Sequence, residues 1–270
     1  MIDRRELAVR WTIGDVSPFG FEALRLAIWG AFQLFGPKAA YAVCFNSVSI
    51  RKARRQTGDI PSEVLWHDAT DEIPDFLKKH LDGNLAEGAG WKFAPIRLFP
   101  DRYELALDND CLLWNLPQAV ARWGEDGNRQ RCILAEDVKT CFGQFAALCG
   151  SDPRNCGIRG FPPGFDFAES LRLTLEEHPV LLSSELDEQG LQAAALSRPV
   201  PPLLVTIHEV TICSPFPPHL PYLGCCGAHF VGLNASHLPW SLNGRTAVTL
   251  IREHWLRHRP ALEVLIKPSP

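Results

Sequence analysis

Two aspartates, Asp108 and Asp110, are the residues of this chain whose type and spacing most directly permit chemistry. They stand at the end of the apolar run Tyr103-Glu104-Leu105-Ala106-Leu107, and a second run, Cys111-Leu112-Leu113-Trp114, follows at once. In an extended chain residues i and i+2 point to the same side, so the two carboxylates converge while Asn109 turns away. Converging carboxylates repel unless positive charge lies between them, and carboxylates set between buried runs are costly unless paired or metal-bound. A hard divalent cation, Mg²⁺ or Mn²⁺, meets both conditions and keeps positions open for substrate phosphate. Asp-Asn-Asp is also good turn chemistry, and the tripeptide by itself leaves both readings open. Upstream, Lys92, Arg97 and Arg102 place cations just ahead of the acidic strand. They suit a diphosphate or, equally, local ion pairs with Asp101, Glu104 or the aspartates themselves.

The elements that must position these groups read as α/β. Leu7 to Gly14 is a strand ending in the turn Gly14-Asp15, and ligands in open α/β sheets gather at such ends. Phe21, Leu24, Ile28, Ala31, Phe32 and Phe35 have helical spacing and stop at Gly36-Pro37. Ala40 to Phe45 is a second buried strand, which completes a βαβ unit with parallel strands. Further strands are predicted at 63–66, 132–135, 203–207 and 210–213. Helices are predicted at 73–81, 116–123 (capped by Asn115, with Pro117 in its first turn), 138–148, 167–175, from 186 onward and at 246–258. Segments 83–90 and 124–129 read as polar, turn-rich loops. Around Asn155 to Phe165, glycines and prolines frame a short apolar run, the pattern of a strand closely approached by another group. Asp187 and Glu188 are also adequately explained as helix-start acids.

At 270 residues the chain can bury a substantial core, and its 46% hydrophobic and 21% charged content is that of an ordinary globular protein. A net charge of −4 gives no pull toward nucleic acid. The short basic cluster Arg51 to Arg55 reads as a solvated helix face. No apolar stretch is long enough to span a bilayer, and no secretory signal is visible, so a cytoplasmic protein is expected. Nine cysteines without a C-x-x-C pair read as buried thiols, with Cys225-Cys226 in the core.

Taken in order, five patches resemble glycosyltransferases of GT-A fold, and most closely the retaining family that contains glycogenin and bacterial lipopolysaccharide galactosyltransferases. Thr12-Ile13-Gly14-Asp15 and the helix after it resemble the nucleotide-holding segment, and Asp108-Asn109-Asp110 resembles the D-x-D motif. Asn155-Cys156-Gly157 is similar to the family's Asn-x-Gly strand, and Asp187-Glu188-Gln189-Gly190-Leu191 to its Asp-Gln-x-Leu helix start. His229-Phe230-Val231-Gly232, followed by Pro239-Trp240, resembles the family's H-F-x-G…K-P-W element, with Leu238 where the family has lysine. The resemblance implies one domain with a mixed, mainly parallel sheet, its nucleotide half at about 7–123 and its acceptor half at about 124–260. It also implies a metal-dependent hexosyltransferase that uses Mn²⁺ or Mg²⁺ and a nucleotide-diphosphate sugar, with a UDP-sugar favoured. The acceptor would be a glycan, a lipid-linked sugar or a small molecule. Asp108, Asp110 and His229 would hold the metal. Asp187, Glu188, Gln189 and Asn155 would act at the sugar, and Thr12, Ile13, Gly14, Asp15, Lys92, Arg97, Asn109, Gly157 and Gly232 would line the donor. Leu238 keeps a second reading open, a binding relative without turnover. A sugar-nucleotide nucleotidyltransferase ranks below both, because the loop Gly14 to Gly20 carries no cation.

Overall fold

The computed structural model describes residues 2–82, 89–125 and 131–266. The chain opens with β1 (Leu7–Ile13), α1 (Pro18–Phe35) and β2 (Ala40–Phe45). α1 starts three residues earlier than its apolar spacing predicts. Ser17 Oγ accepts the Gly20 N–H, Pro18 occupies the first turn, and Gly36 at φ 71° ends the helix. Next come α2 (Ile50–Thr57), β3 (Val64–Asp68) and α3 (Asp75–Lys78). A 3₁₀ turn at Ala89–Phe93 leads into β4 (Tyr103–Asp108) and β5 (Cys111–Leu113). After α4 (Gln118–Arg122) and β6 (Ile133–Glu136) stand α5 (Ala146–Cys149) and β7 (Arg154–Phe161). The rest comprises α6 (Phe167–Glu177), α7 (Glu185–Ser197), β8 (Leu203–Val205), β9 (Val210–Ile212), β10 (Gly227–His229), β11 (Ser241–Leu242), β12 (Arg245–Thr246) and α8 (Ala247–Leu265).

The main sheet has seven strands in the order β3-β2-β1-β4-β7-β6-β8, and only β7 runs against the others. Chain order reverses beside β1: β2 and β3 lie to one side, and the chain then crosses back to place β4 on the other. Such a reversal opens a crevice beyond the carboxyl ends of the flanking strands. The register Thr12↔Asp108 sets the end of β1 beside the first aspartate. A second, three-stranded sheet in the order β5-β10-β9 starts immediately after Asp110. The tripeptide Asp108-Asn109-Asp110 is therefore the hinge between two sheets.

The sheet separates two cores because alternate residues face opposite ways. Leu105 and Leu107 join α1 and α8 on one side, and Ala106 joins α6 and α7 on the other. On the Ala106 face a fully buried ion pair, Arg10 Nε to Glu104 Oε1 at 2.5 Å, links β1 to β4. Glu104 also accepts the backbone N–H groups of Leu98 and Phe99, which fixes the approach to β4. Burial would raise the Glu104 carboxyl, but Arg10 and the Phe99 amide outweigh it and hold the group below its usual range. Removing either partner would leave a buried charge uncompensated, at a cost of about 3–5 kcal/mol.

Several boundaries differ from expectation for identifiable reasons. The helix predicted at 138–148 shrinks to a 3₁₀ turn and the single turn α5. Gly143 takes φ +49°, and the place its Cβ would occupy lies 2.2 Å from Asp187 Oδ1, so a helix cannot run through it. α4 is not capped by Asn115, whose side chain donates to the Cys225 carbonyl at 2.8 Å. Pro117 holds the cap position, and the Gln118 N–H donates to the distant Glu209 carboxylate at 2.7 Å. α3 is only one turn of the predicted 73–81. α8 continues past His258 through Pro260, carried by the fully buried Leu262 near its end. The basic cluster is a mostly solvated helix face, with only Ala53 and Thr57 of α2 buried. None of the nine cysteines is in a disulfide, and Cys225 is exposed rather than in the core. The predicted loops at 83–90 and 124–129 fall largely outside the described residues. Among the described residues no helix is long and apolar enough to cross a membrane.

Candidate functional site

β4 delivers Asp108 to the crevice, and β10 delivers the third member of the group. β10 pairs with β5 in the register His229↔Cys111, and the Phe230 N–H donates to the Asp110 carbonyl at 2.9 Å. His229 is thereby held against the tripeptide although 119 residues separate it from Asp110 in sequence. Its Nε2 lies 3.3 Å from Asp110 Oδ1 and 3.7 Å from Asp108 Oδ2. One ligating atom from each of the three side chains falls within 4.8 Å of the other two. Burial would lower the His229 pKa, but the hydrogen bond and charge of Asp110, together with Asp108, raise it.

Asn109 turns away from the carboxylates, as the spacing predicts, and is not exposed to the crevice. It donates to the Gly20 carbonyl at 3.1 Å and forms a reciprocal amide pair with Asn234. Asn234 in turn donates to Asp110 Oδ2 at 3.2 Å. The amide pair ties the tripeptide to α1 and to the loop after β10, which orients Asp110. Asn234 gives no motif signal in the sequence; only the fold brings it here.

Two cations face the acidic group. Lys92 Nζ stands 2.9 Å from Asp108 Oδ2 and 3.7 Å from Glu188 Oε2. Arg159 Nη2 stands 3.6 Å from Asp108 Oδ1, and its Nη1 donates to Gln192 at 2.7 Å. Burial would raise the Asp108 carboxyl, but Lys92, Arg159 and His229 together hold it below its usual value. Glu188 goes the other way: burial raises it despite Lys92 and Arg159. The Lys92 ammonium is held well above its usual value by Asp108 and Glu188, against the opposing effect of burial. Sequence reasoning missed Arg159. Its signal was a lone charge within the apolar run of β7, where an unpaired guanidinium would be too costly to bury.

The remaining expected residues divide. Arg97 is not a member of the site. Its guanidinium donates to the carbonyls of Pro162, Phe165, Phe99 and Arg102 and faces Glu104 at 3.5 Å, so it braces the entry to β4. Asp187 accepts from the backbone N–H groups of Gln144 and Ser183 and from both side chains, which ties the first turn of α7 to the 3₁₀ turn before α5, while Ser184 Oγ caps the helix by accepting the Asp187 N–H. Gln189 Oε1 accepts from Asn155 Nδ2 at 3.2 Å, and Asn155 Oδ1 accepts the Gly157 N–H at 2.7 Å. Gly157 leaves the room His229 needs, because a Cβ there would lie 2.4 Å from the ring. At the end of β1, Thr12 Oγ1 is buried with no hydrogen-bond partner, and Ile13 points into the core. Gly14 packs against Asn46 and Ser47, and Asp15 pairs with Lys52 at the surface. Gly232 turns the chain at φ +81°, where its Cβ position faces Ile251 and Leu238.

No protein-family model matches this chain, and no curated protein matches its sequence. Solved structures do match its fold. The galactosyltransferase LgtC, in complex with donor and acceptor sugar analogues, superposes with a TM-score of 0.54 at 11% identity over 97% of both chains. An active-site mutant of LgtC gives 0.51 at 11% identity with the same coverage. The apo form of the bifunctional glycosyltransferase WbbM gives 0.53 at 12% identity, over 97% of this chain and 52% of that one. The chain has the fold of these GT-A glycosyltransferases.

Proposed function

We propose that the chain is a glycosyltransferase of hexosyltransferase type, which moves a sugar from a nucleotide-diphosphate donor to an acceptor with the help of a divalent metal. The observation that carries this reading is the convergence of Asp108, Asp110 and His229 at the strand-order reversal of a sheet shared with glycosyltransferases. Two carboxylates and an imidazole form a donor set suited to Mn²⁺ or Mg²⁺. A bound metal would supply Lewis-acid charge to the diphosphate leaving group.

The chain's own residues would do the rest. Thr12 Oγ1, buried and unpartnered at the mouth of the crevice, is available to a donor hydroxyl or phosphate. Lys92 and Arg159 are held by Asp108 and oppose the negative charge that grows on the departing diphosphate. Glu188 carries a raised pKa beside Lys92 and is the carboxylate of this group best able to exchange a proton. Asn155 and Gln189, locked to each other, orient the sugar side. Asp187, expected beside them, is engaged by Gln144 and Ser183. UDP-sugars are the favoured donors, and the acceptor is a glycan, a lipid-linked sugar or a small molecule.

Leu238, packed against the core where the resembled family has lysine, favours a second reading: a sugar-nucleotide binder without turnover. A thermal-shift screen of UDP, GDP, CMP and dTDP, with and without Mn²⁺, on wild type and Asp110→Ala tests the site. Ligand at 100 times its Kd stabilises by about 2.7 kcal/mol. A shift that requires both metal and one nucleotide, and is lost in the variant, supports the reading. No shift with any nucleotide rejects it. Metal-dependent release of that nucleotide from its sugar conjugate separates the transferase from the silent binder.

A further inference from the structure

Away from the aspartates, one thiol and two imidazoles come together: Cys213, His254 and His258 place ligating atoms all within 4.8 Å of one another. We infer that these three side chains form a second metal site, for a borderline-soft divalent cation such as Zn²⁺, that fastens α8 to the end of β9. His254 and His258 are four residues apart on α8, so their rings share one face of the helix, with centroids 4.6 Å apart. Cys213 follows β9 directly, and its Sγ lies 3.3 Å from His254 Nε2. Thiolate and imidazole are the ligands that select zinc over the oxygen-seeking cations of the first site. Three protein ligands leave a fourth tetrahedral position, which His258, half open to solvent, allows water to fill.

An independent observation points the same way. His254 is 3% exposed, yet its Nδ1 is buried with no hydrogen-bond partner, and its other nitrogen meets only a thiol, a weak donor and acceptor. A buried nitrogen that meets nothing better than a thiol is poorly satisfied, and a cation shared with Cys213 would take up the lone pair of His254 Nε2. A thiol ligates a metal as the thiolate, so the metal must displace the Cys213 proton. The balanced step is M²⁺ plus the thiol giving the metal–thiolate and one H⁺ released to solvent.

The site has a structural task. The Cys213 N–H donates to the His229 carbonyl at 2.8 Å, and the Phe230 ring packs on His254, Trp255 and His258. Fixing β9 and α8 thus braces the strand that presents His229. The site differs from the first in ligand chemistry, which lets one probe tell them apart.

The experiment strips the full chain with chelator and titrates it with Co²⁺. Wild type is expected to take up one equivalent that shows thiolate-to-cobalt charge-transfer absorption. The absorption should persist in Asp110→Asn, whose site has no sulfur, and vanish in Cys213→Ser. His258→Ala, at a partly open position that tolerates change, should weaken Zn²⁺ competition by about tenfold or more, since outer-shell losses alone cost about 10–100-fold. Absence of the absorption in wild type overturns the inference. So does its survival in folded Cys213→Ser, which would assign it to another thiol such as Cys225. If Cys213→Ser does not fold, unchanged Zn²⁺ affinity in His258→Ala overturns it alone.

Discussion

Gly157 leaves no slack in the group of side chains around Asp108. A Cβ there would lie 2.4 Å from His229 Cε1 and Nδ1 and 2.8 Å from Asn155 Oδ1. β7 bulges against β6 at this point, where Leu134 pairs with Arg159 and Ala135 with Asn155, but Gly157 takes no positive φ, so alanine is compatible with the backbone but not with the ring. Gly157→Ala is expected to leave the far-ultraviolet circular dichroism intact while displacing His229. A displacement of about 1 Å lowers turnover by about 100-fold. Near-normal metal-dependent turnover in this variant would remove His229 from the mechanism. At this scale the sequence was legible where a backbone rule applies: alternation along the strand predicts both the convergence of Asp108 and Asp110 and the outward turn of Asn109. It was illegible where the outcome depends on a partner distant in sequence. Lys92 and Arg97 look equivalent as a pair of upstream cations, but Glu104 and a ring of backbone carbonyls hold Arg97 while Lys92 reaches Asp108. Asp187 and Glu188 are neighbours that a helix sends in different directions, and the motif cannot say which faces the crevice.

Ser184 caps α7, but Asp187 ties its first turn to Ser183 and Gln144, and that contribution depends on pH. Burial alone would raise this carboxyl, but the Gln144 and Ser183 amides outweigh it and bring it down to about 2 from an ordinary 3.8. A depressed carboxylate stabilises the fold fully above its unfolded pKa and loses that contribution as pH falls through the folded value. Asp187→Asn is therefore expected to cost about 2 kcal/mol at pH 7, the scale of hydrogen bonds to a charged group. The difference from wild type should shrink between about pH 4 and pH 2. Urea unfolding of both proteins at pH 7 and pH 3 measures this, and an unchanged gap at the two pH values contradicts the assignment. Nucleotide affinity at pH 7 should be unaffected. An end set by the element's own residues was legible, as with the stop of α1 at Gly36. Ends limited by another part of the chain were not: α4 draws its cap from Glu209, and the predicted 138–148 helix is broken where Gly143 meets Asp187.

On the scale of the whole molecule, the hinge tripeptide joins the ends of β1 and β4, the proposed donor side, to a side built on the small sheet and the segments around it. From His229 the chain runs through Asn234, bound to Asp110, to Trp240, which is 43% exposed and packs edge-on against Phe216 with centroids 4.3 Å apart. Phe216 belongs to the proline-rich segment 199–221, and Tyr222 just beyond it is also exposed. Exposed aromatic rings on a loop that leads out of a catalytic group provide apolar faces against which a sugar ring can stack. The acceptor is accordingly expected on this side. Trp240→Ala should lower transfer to the acceptor by about tenfold, equivalent to about 1.4 kcal/mol, mainly by raising the acceptor KM. Donor hydrolysis by water, which needs only the donor side, should stay near wild type. Parallel assays of nucleotide release with and without acceptor separate the two effects. If hydrolysis falls as far as transfer while the protein remains folded, Trp240 supports the donor side instead, and the division of the molecule at the hinge is wrong.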